Sequence, residues 1–118
     1  MQSTNDTQLV LQHHLSAFSE NDIDEIMKDY SEESCLCTPD GKLSGLSAIR
    51  SFFCSVINLF PAGQTKLDVK QMIVENDKAY LYWNSDSPVA SIPMGTDSFE
   101  IKDGKIIWQT MAAQIVIK

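Results

Sequence analysis

The chain reads as an α+β fold, with helices packed on one side of a curved, mostly antiparallel sheet. Three observations carry that reading. Helical periodicity is confined to the first half, where apolar residues recur at i, i+3 and i+4 over residues 7–19 and again from Ile49 to Phe60. After Pro61-Ala62-Gly63 the pattern changes to extended runs over residues 66–74, 78–85, 89–101 and 105–118. Three turn-like joints separate them: Glu75-Asn76-Asp77, Asp86-Ser87-Pro88 and Lys102-Asp103-Gly104. The last places Asp-Gly between two strand-forming runs, a hairpin signal because glycine takes positive φ at little cost. Helices first and strands second predicts segregated layers rather than alternating βαβ units.

Each element has a local reason. Residues 1–6 are polar and are expected to fray. In the first helix Val10, Leu11, Leu15, Ala17 and Phe18 form the apolar stripe, opposite Gln8, Gln12, Ser16 and Ser19. Asn21-Asp22-Ile23-Asp24-Glu25 starts a second, shorter helix, with Asp22 as its cap and Glu25 at the capping-box position. Ile26, Met27 and Tyr30 give that helix a core side. A short strand over residues 34–38 then meets Pro39-Asp40-Gly41, a turn, and residues 42–44 can pair back on it. The third helix is the clearest, with Ile49, Phe52, Phe53, Val56, Ile57 and Phe60 on one stripe and Pro61 as its stop. Pro93-Met94-Gly95 marks a bend or bulge within the third long strand.

The totals exclude several classes. At 118 residues the chain, 1–118, is expected to be a single domain with a core large enough to need no staples. A formal net charge of -7 argues against nucleic acid or an anionic membrane as partner, since both reward basic surfaces. The apolar runs fall well short of the roughly 20 residues that span a bilayer. Cys35, Cys37 and Cys54 have no metal-ligand spacing and, with no secretory signal, are expected as free thiols in the cytoplasm. No cofactor or metal is expected.

Two polar residues fall where apolar ones belong. Alternation along the strand before the Asp-Gly turn sets Asp97 in phase with Phe99 and Ile101. A carboxylate on that face must be paired, hydrated in a cavity, or shifted in pKa, because an isolated buried charge is costly. At about 100° per residue, His14 falls inside the apolar stripe of the first helix and His13 at its edge. His14 reads either as a core histidine satisfied by a neighbour or as a proton donor or acceptor facing a pocket. Tyr30, Thr38, Phe53, Trp83, Phe99 and Trp108 are the further candidates for lining such a pocket, with packed core as the plainer alternative for the aromatics. Cys54 and Arg50 lie away from the stripe of the third helix, and Asp40 and Asp103 are turn residues.

Particular segments carry a family resemblance across roughly residues 8–113. They are Ala17-Phe18-Ser19-Glu20-Asn21-Asp22-Ile23-Asp24, Thr38-Pro39-Asp40-Gly41, the run from Leu43 through Phe53, and Phe99-Glu100-Ile101-Lys102-Asp103-Gly104-Lys105-Ile106. With the order of elements, these resemble the SnoaL-like branch of the NTF2-like superfamily, an α+β cone that includes polyketide cyclases and ketosteroid isomerases. The resemblance implies a pocket between the helices and the concave sheet, and a homodimer, commonly through the outer sheet face. It maps the steroid isomerases' oxyanion-binding tyrosine to His14, their catalytic base to Thr38 before Pro39, and their second oxyanion-hole acid to Asp97. A threonine hydroxyl cannot abstract a proton from carbon without a base of its own, so isomerisation by that route is not expected. An epoxide hydrolase of this fold resembles an Asp-Arg-Asp arrangement, for which Arg50 is the one arginine available. The leading expectation is a pocket for a small, largely apolar molecule anchored by His14 and Asp97, which would hold it or transform it by proton transfer. The alternative is a non-catalytic homodimeric assembly module.

Overall fold

A computed structural model describes residues 3–118, beginning with helix α1 (Thr4–Ser19) and the short α2 (Ile23–Met27). Strands β1 (Cys35–Thr38) and β2 (Gly41–Ser44) form a small hairpin that runs directly into α3 (Gly45–Val56), which tightens into a 3-10 turn at Ile57–Leu59. Then come β3 (Lys66–Glu75), β4 (Lys78–Asp86), β5 (Ala90–Lys102) and β6 (Lys105–Ile117). The six strands form one sheet in the order β2-β1-β6-β5-β4-β3. The hairpin β1–β2 joins the meander through a parallel pairing of β1 with β6, whereas the other neighbouring pairs are antiparallel. The predicted α+β architecture, three helices on a mostly antiparallel sheet, is what the chain adopts.

Turn chemistry fixes the meander. Asp103 and Gly104 both take positive φ (52° and 77°), as a tight two-residue hairpin turn requires. Asn76 (φ 52°) plays the same part between β3 and β4. The pairing of β5 with β6 breaks register between Ser91 and Met94, so the predicted irregularity at Pro93-Met94-Gly95 is a bulge that bends the long strand. Helix and sheet faces then close over a core that includes Leu11, Ile26, Leu36, Ile49, Ile92, Ile101 and Ile106, all at most 1% exposed.

Two boundaries and one cap differ from the sequence reading, each for a local reason. Of the residues expected to fray, 1 and 2 lie outside the described residues, but Thr4, Asn5 and Asp6 form the first turn of α1. Ser3 caps them by accepting a hydrogen bond from the Asp6 amide at 3.1 Å. The turn is also tied to the β3–β4 hairpin, where Thr4 Oγ1 accepts from the Asn76 amide at 2.8 Å. Helix α2 ends at Met27, so Tyr30 lies beyond it rather than on its core side, although it is buried all the same. The capping box is half formed. Asp22 accepts from the Glu25 amide at 3.2 Å, but the Glu25 carboxylate turns to His13 and Lys28 instead of reaching back.

Candidate functional site

Strand alternation carries Asp97 into the concave face of the sheet, between buried Gly95 and Phe99. Its two carboxylate oxygens are each met by a neutral donor. Trp83 Nε1–H on β4 donates to Oδ1 at 2.8 Å, and Gln109 Nε2 on β6 donates to Oδ2 at 2.8 Å. Gln109 Oε1 in turn accepts from the Tyr30 hydroxyl. The direction of this chain is set by the carboxylate: when ionised it only accepts, so the amide N–H₂ faces Asp97 and the amide oxygen is left for the Tyr30 hydroxyl proton. Burial pushes the Asp97 carboxyl up to about 6, against the pull of the Trp83 and Gln109 donors.

The tryptophan reaches Asp97 because of a glycine. Gly95 is the register partner of Trp83, and the indole lies flat across it. A Cβ built at Gly95 would sit 2.3 Å from the ring, closer than atoms can approach. Gly95 is therefore the seat of the indole that holds the carboxylate.

His14, on α1, is 5% exposed and ringed by aromatic side chains. Its ring centroid stands 5.8–6.5 Å from those of Phe18, Tyr30, Phe53 and Phe99, three of them in edge-on arrangements. Its Nδ1 is buried without a hydrogen-bond partner. Burial pushes the imidazole down to about 4, with a smaller contribution from neighbouring His13, so it is neutral at pH 7. Asp97 spends its oxygens on Trp83 and Gln109, and no hydrogen bond joins it to His14 among the described residues. Asp97 is therefore not a neighbour that satisfies His14 within the core: the two groups stand separately.

Both groups line one cavity, of about 60 Å³, open on one side. Phe18, Phe52, Phe53, Val56 and Phe60 wall it from the helices, and Leu81, Trp83, Phe99, Gln109 and Met111 from the sheet. Of the residues singled out in the sequence, His14, Phe53, Trp83, Asp97 and Phe99 meet here. Tyr30 stands behind the lining, bound to Gln109. Thr38 sits at the β1–β2 turn, where its hydroxyl accepts from the Asp40 amide at 3.1 Å. Trp108 is 42% exposed on the outer face, beside Cys35 and Glu100.

Trp108 and Gln109 exchange the faces that simple alternation from Ile106 assigns them. Glu100 pairs with Trp108 while Ile101 pairs with Ile106, leaving Ile107 as an extra residue. One extra residue reverses the phase of everything after it, so the tryptophan turns outward and the glutamine inward. No turn residue marks that bulge in the sequence, and Gln109 carries no signal apart from it. His13 was likewise placed only at a stripe edge. It bridges α1 to α2, with Nδ1 2.8 Å from Asp29 Oδ2 and Nε2 2.8 Å from Glu25 Oε2. Its imidazole is held above its ordinary 6.5 by the Asp29 bond first and the Glu25 bond second.

Known proteins extend the comparison. The SnoaL-like domain matches residues 11–109, from the first helix to the residue that orients Asp97. Among solved structures, the chain is similar to a proposed ketosteroid isomerase from Kribbella flavida DSM 17836. That match has a TM-score of 0.79 and 15% identity, covering 100% of this chain and 84% of that one. An NTF2-like protein of unknown function from Mesorhizobium loti gives a TM-score of 0.76 at 18% identity, covering 94% and 93%. A proposed polyketide cyclase from Sinorhizobium meliloti gives 0.70 at 20% identity, covering 86% and 92%. No curated protein matches the chain by sequence. Identities this low establish the fold alone. With the domain match spanning most of its length, the chain belongs to the SnoaL-like family, and its fold is that of NTF2-like proteins.

Proposed function

We propose that residues 1–118 act as a single SnoaL-like domain that binds a small, largely apolar molecule in the cone, with His14 and Asp97 as its polar anchors. One observation carries this reading. The apolar, aromatic-walled cavity converges on a buried carboxylate and on an imidazole with an unpartnered nitrogen. A core built for stability alone leaves such groups satisfied. The interior, at about 60 Å³, suits a head group of a few atoms, and its mainly apolar lining suits an apolar body attached to it. A neutral imidazole and a carboxylate are also the pair that proton-transfer reactions use, whether isomerisation, cyclisation or dehydration. Relatives of this fold include proteins proposed as a ketosteroid isomerase and a polyketide cyclase.

The test uses Trp83 as reporter. In a Trp108→Phe background, titration with apolar fragments that carry one polar head should change Trp83 emission saturably, and His14→Phe should weaken that response tenfold or more. Fragments that leave Trp83 unaffected up to millimolar concentration would overturn the reading.

A second reading has its own observation. Across the outer sheet face, Ile73, Tyr80, Ser98, Thr110 and Cys37 fall in register as one continuous row. Exposed Met94 and Trp108 flank it. Such a face favours a homodimeric assembly module. Light scattering should then give twice the 13.2 kDa chain mass, reduced to one chain by Trp108→Glu.

A further inference from the structure

The polarity of the cone's inner end selects among ligands, an inference that rests on the binding reading above. The donors that the structure shows at Asp97 are directed at protein acceptors. Tyr30 donates to Gln109, and Gln109 and Trp83 donate to Asp97. An anionic head entering the cavity would find these donors occupied and a carboxylate facing it. The carboxylate, by contrast, keeps acceptor capacity, since two of its roughly four lone-pair sites are used. His14 adds an imidazole that is uncharged at neutral pH and has a nitrogen without a partner. No lysine or arginine is among the residues lining the cavity, within the described residues. The walls present the rings of Phe18, Phe53, Phe99 and Trp83, whose faces attract cations. The chain as a whole carries a net charge of -7, so its field draws cations towards the mouth.

We propose that the cone takes a small organic cation, an apolar amine whose ammonium group enters first and donates to the free acceptor positions of Asp97. The aromatic walls hold the first carbons of its apolar body, and the side chains at the mouth hold the rest. An ammonium brings three donors and needs no acceptor, which complements the free lone pairs of the Asp97 carboxylate. The geometry is the inverse of an oxyanion hole, where donors converge on developing negative charge.

The test compares benzylamine, benzyl alcohol and benzoate by calorimetry with the whole chain at pH 7.5, where Asp97 is ionised. The three share one apolar body and differ in head group. The amine should bind at least tenfold tighter than the alcohol and at least a hundredfold tighter than benzoate. In the wild-type chain, amine affinity should fall about tenfold for each pH unit below the 6 of the Asp97 carboxyl, and alcohol affinity should stay flat. Asp97→Asn should remove the amine's advantage over the alcohol, and the wild-type pH profile makes the same test should that variant fold poorly. Benzoate or the alcohol binding tightest would overturn the cation inference while leaving the binding pocket standing. No binding by any of the three, up to millimolar concentration, would overturn both.

Discussion

At Gly95 a single hydrogen atom in place of a methyl group decides where an indole lies, and through the indole how a carboxylate is held. Gly95→Ala places Cβ about 2.3 Å from the Trp83 ring, so the ring must leave Asp97. Overpacking together with a lost hydrogen bond to a charged group should cost about 2–4 kcal/mol, read from denaturant unfolding. Unchanged stability together with unchanged Trp83 emission would show that the ring is not seated there. Asp97→Asn tests the same chain from its centre. The new N–H₂ must face either Trp83 or Gln109; if Gln109 turns to accept it, the Tyr30 hydroxyl loses its acceptor. One stranded buried donor costs about 1–3 kcal/mol. Asp97 also has a pH signature. Its folded value near 6 lies above the ordinary 3.8, so the folded chain holds the proton more tightly than the unfolded one. Its contribution to stability therefore grows as pH falls from above 6 to below 3.8, by an amount on the order of 3 kcal/mol. The stability difference between wild type and Asp97→Asn, followed by chemical denaturation across that window, should show this slope. Asp97 itself was legible in the sequence from its phase with Phe99 and Ile101, whereas its partners on β4 and β6 were not. Cross-strand pairing depends on register, and register is not written in any one strand.

Between elements, the sequence shows turns better than it shows docking. Asp-Gly at 103–104 marked the last hairpin, and Asp22 marked the start of α2, because both act on their own backbone within a few residues. The outward turn of Trp108 follows from the bulge at Ile107, which arises only when β5 and β6 pair. The clasp of His13 between Asp29 and Glu25 likewise requires α1 and α2 to fold back on each other. The segment after α2 is held further by the Ile106 amide, which donates to Asp29 O at 2.7 Å, and by Lys105 Nζ, which donates to Lys28 O at 2.6 Å. The clasp should be pH-dependent. His13 titrates above its ordinary 6.5 because Asp29 and Glu25 favour its charged form. That stabilisation is fully present below 6.5 while the two carboxylates stay ionised, and it is lost as pH rises through the higher folded value. Screening at this partly exposed site limits it to about 0.5–1 kcal/mol. His13→Ala should accordingly lower the melting temperature at pH 6 and converge with wild type at pH 9; an equal loss at both values would assign His13 a packing role instead. The α3 stripe is the opposite case, since apolar periodicity alone puts Phe53 on the core face, where it meets His14 and Phe18 of α1. Phe53→Ala should cost about 3–5 kcal/mol by thermal unfolding, and a loss below 1 kcal/mol would contradict its place in the core.

The whole molecule is a layered cone whose sheet is bent by bulges and whose helices close one face. Family segments and element order make that architecture readable in the sequence, since caps, turns and the α3 stripe recur in the SnoaL-like frame. The interior of the cone was harder to read. Its volume and its spare acceptor positions are properties of six strands and three helices together. Under the proposed function, this interior receives a small molecule at His14 and Asp97. The most direct measurement is an NMR titration of the isotope-labelled chain with benzylamine, following the Trp83 indole N–H, the His14 ring and the aromatic signals of Phe53 and Phe99. The expected result is a saturable shift of these signals together, with Trp108 and the outer sheet face unaffected. Shifts confined to Trp108 and its neighbours, or none with benzylamine and none when benzyl alcohol and benzoate are titrated in the same way, would contradict this reading.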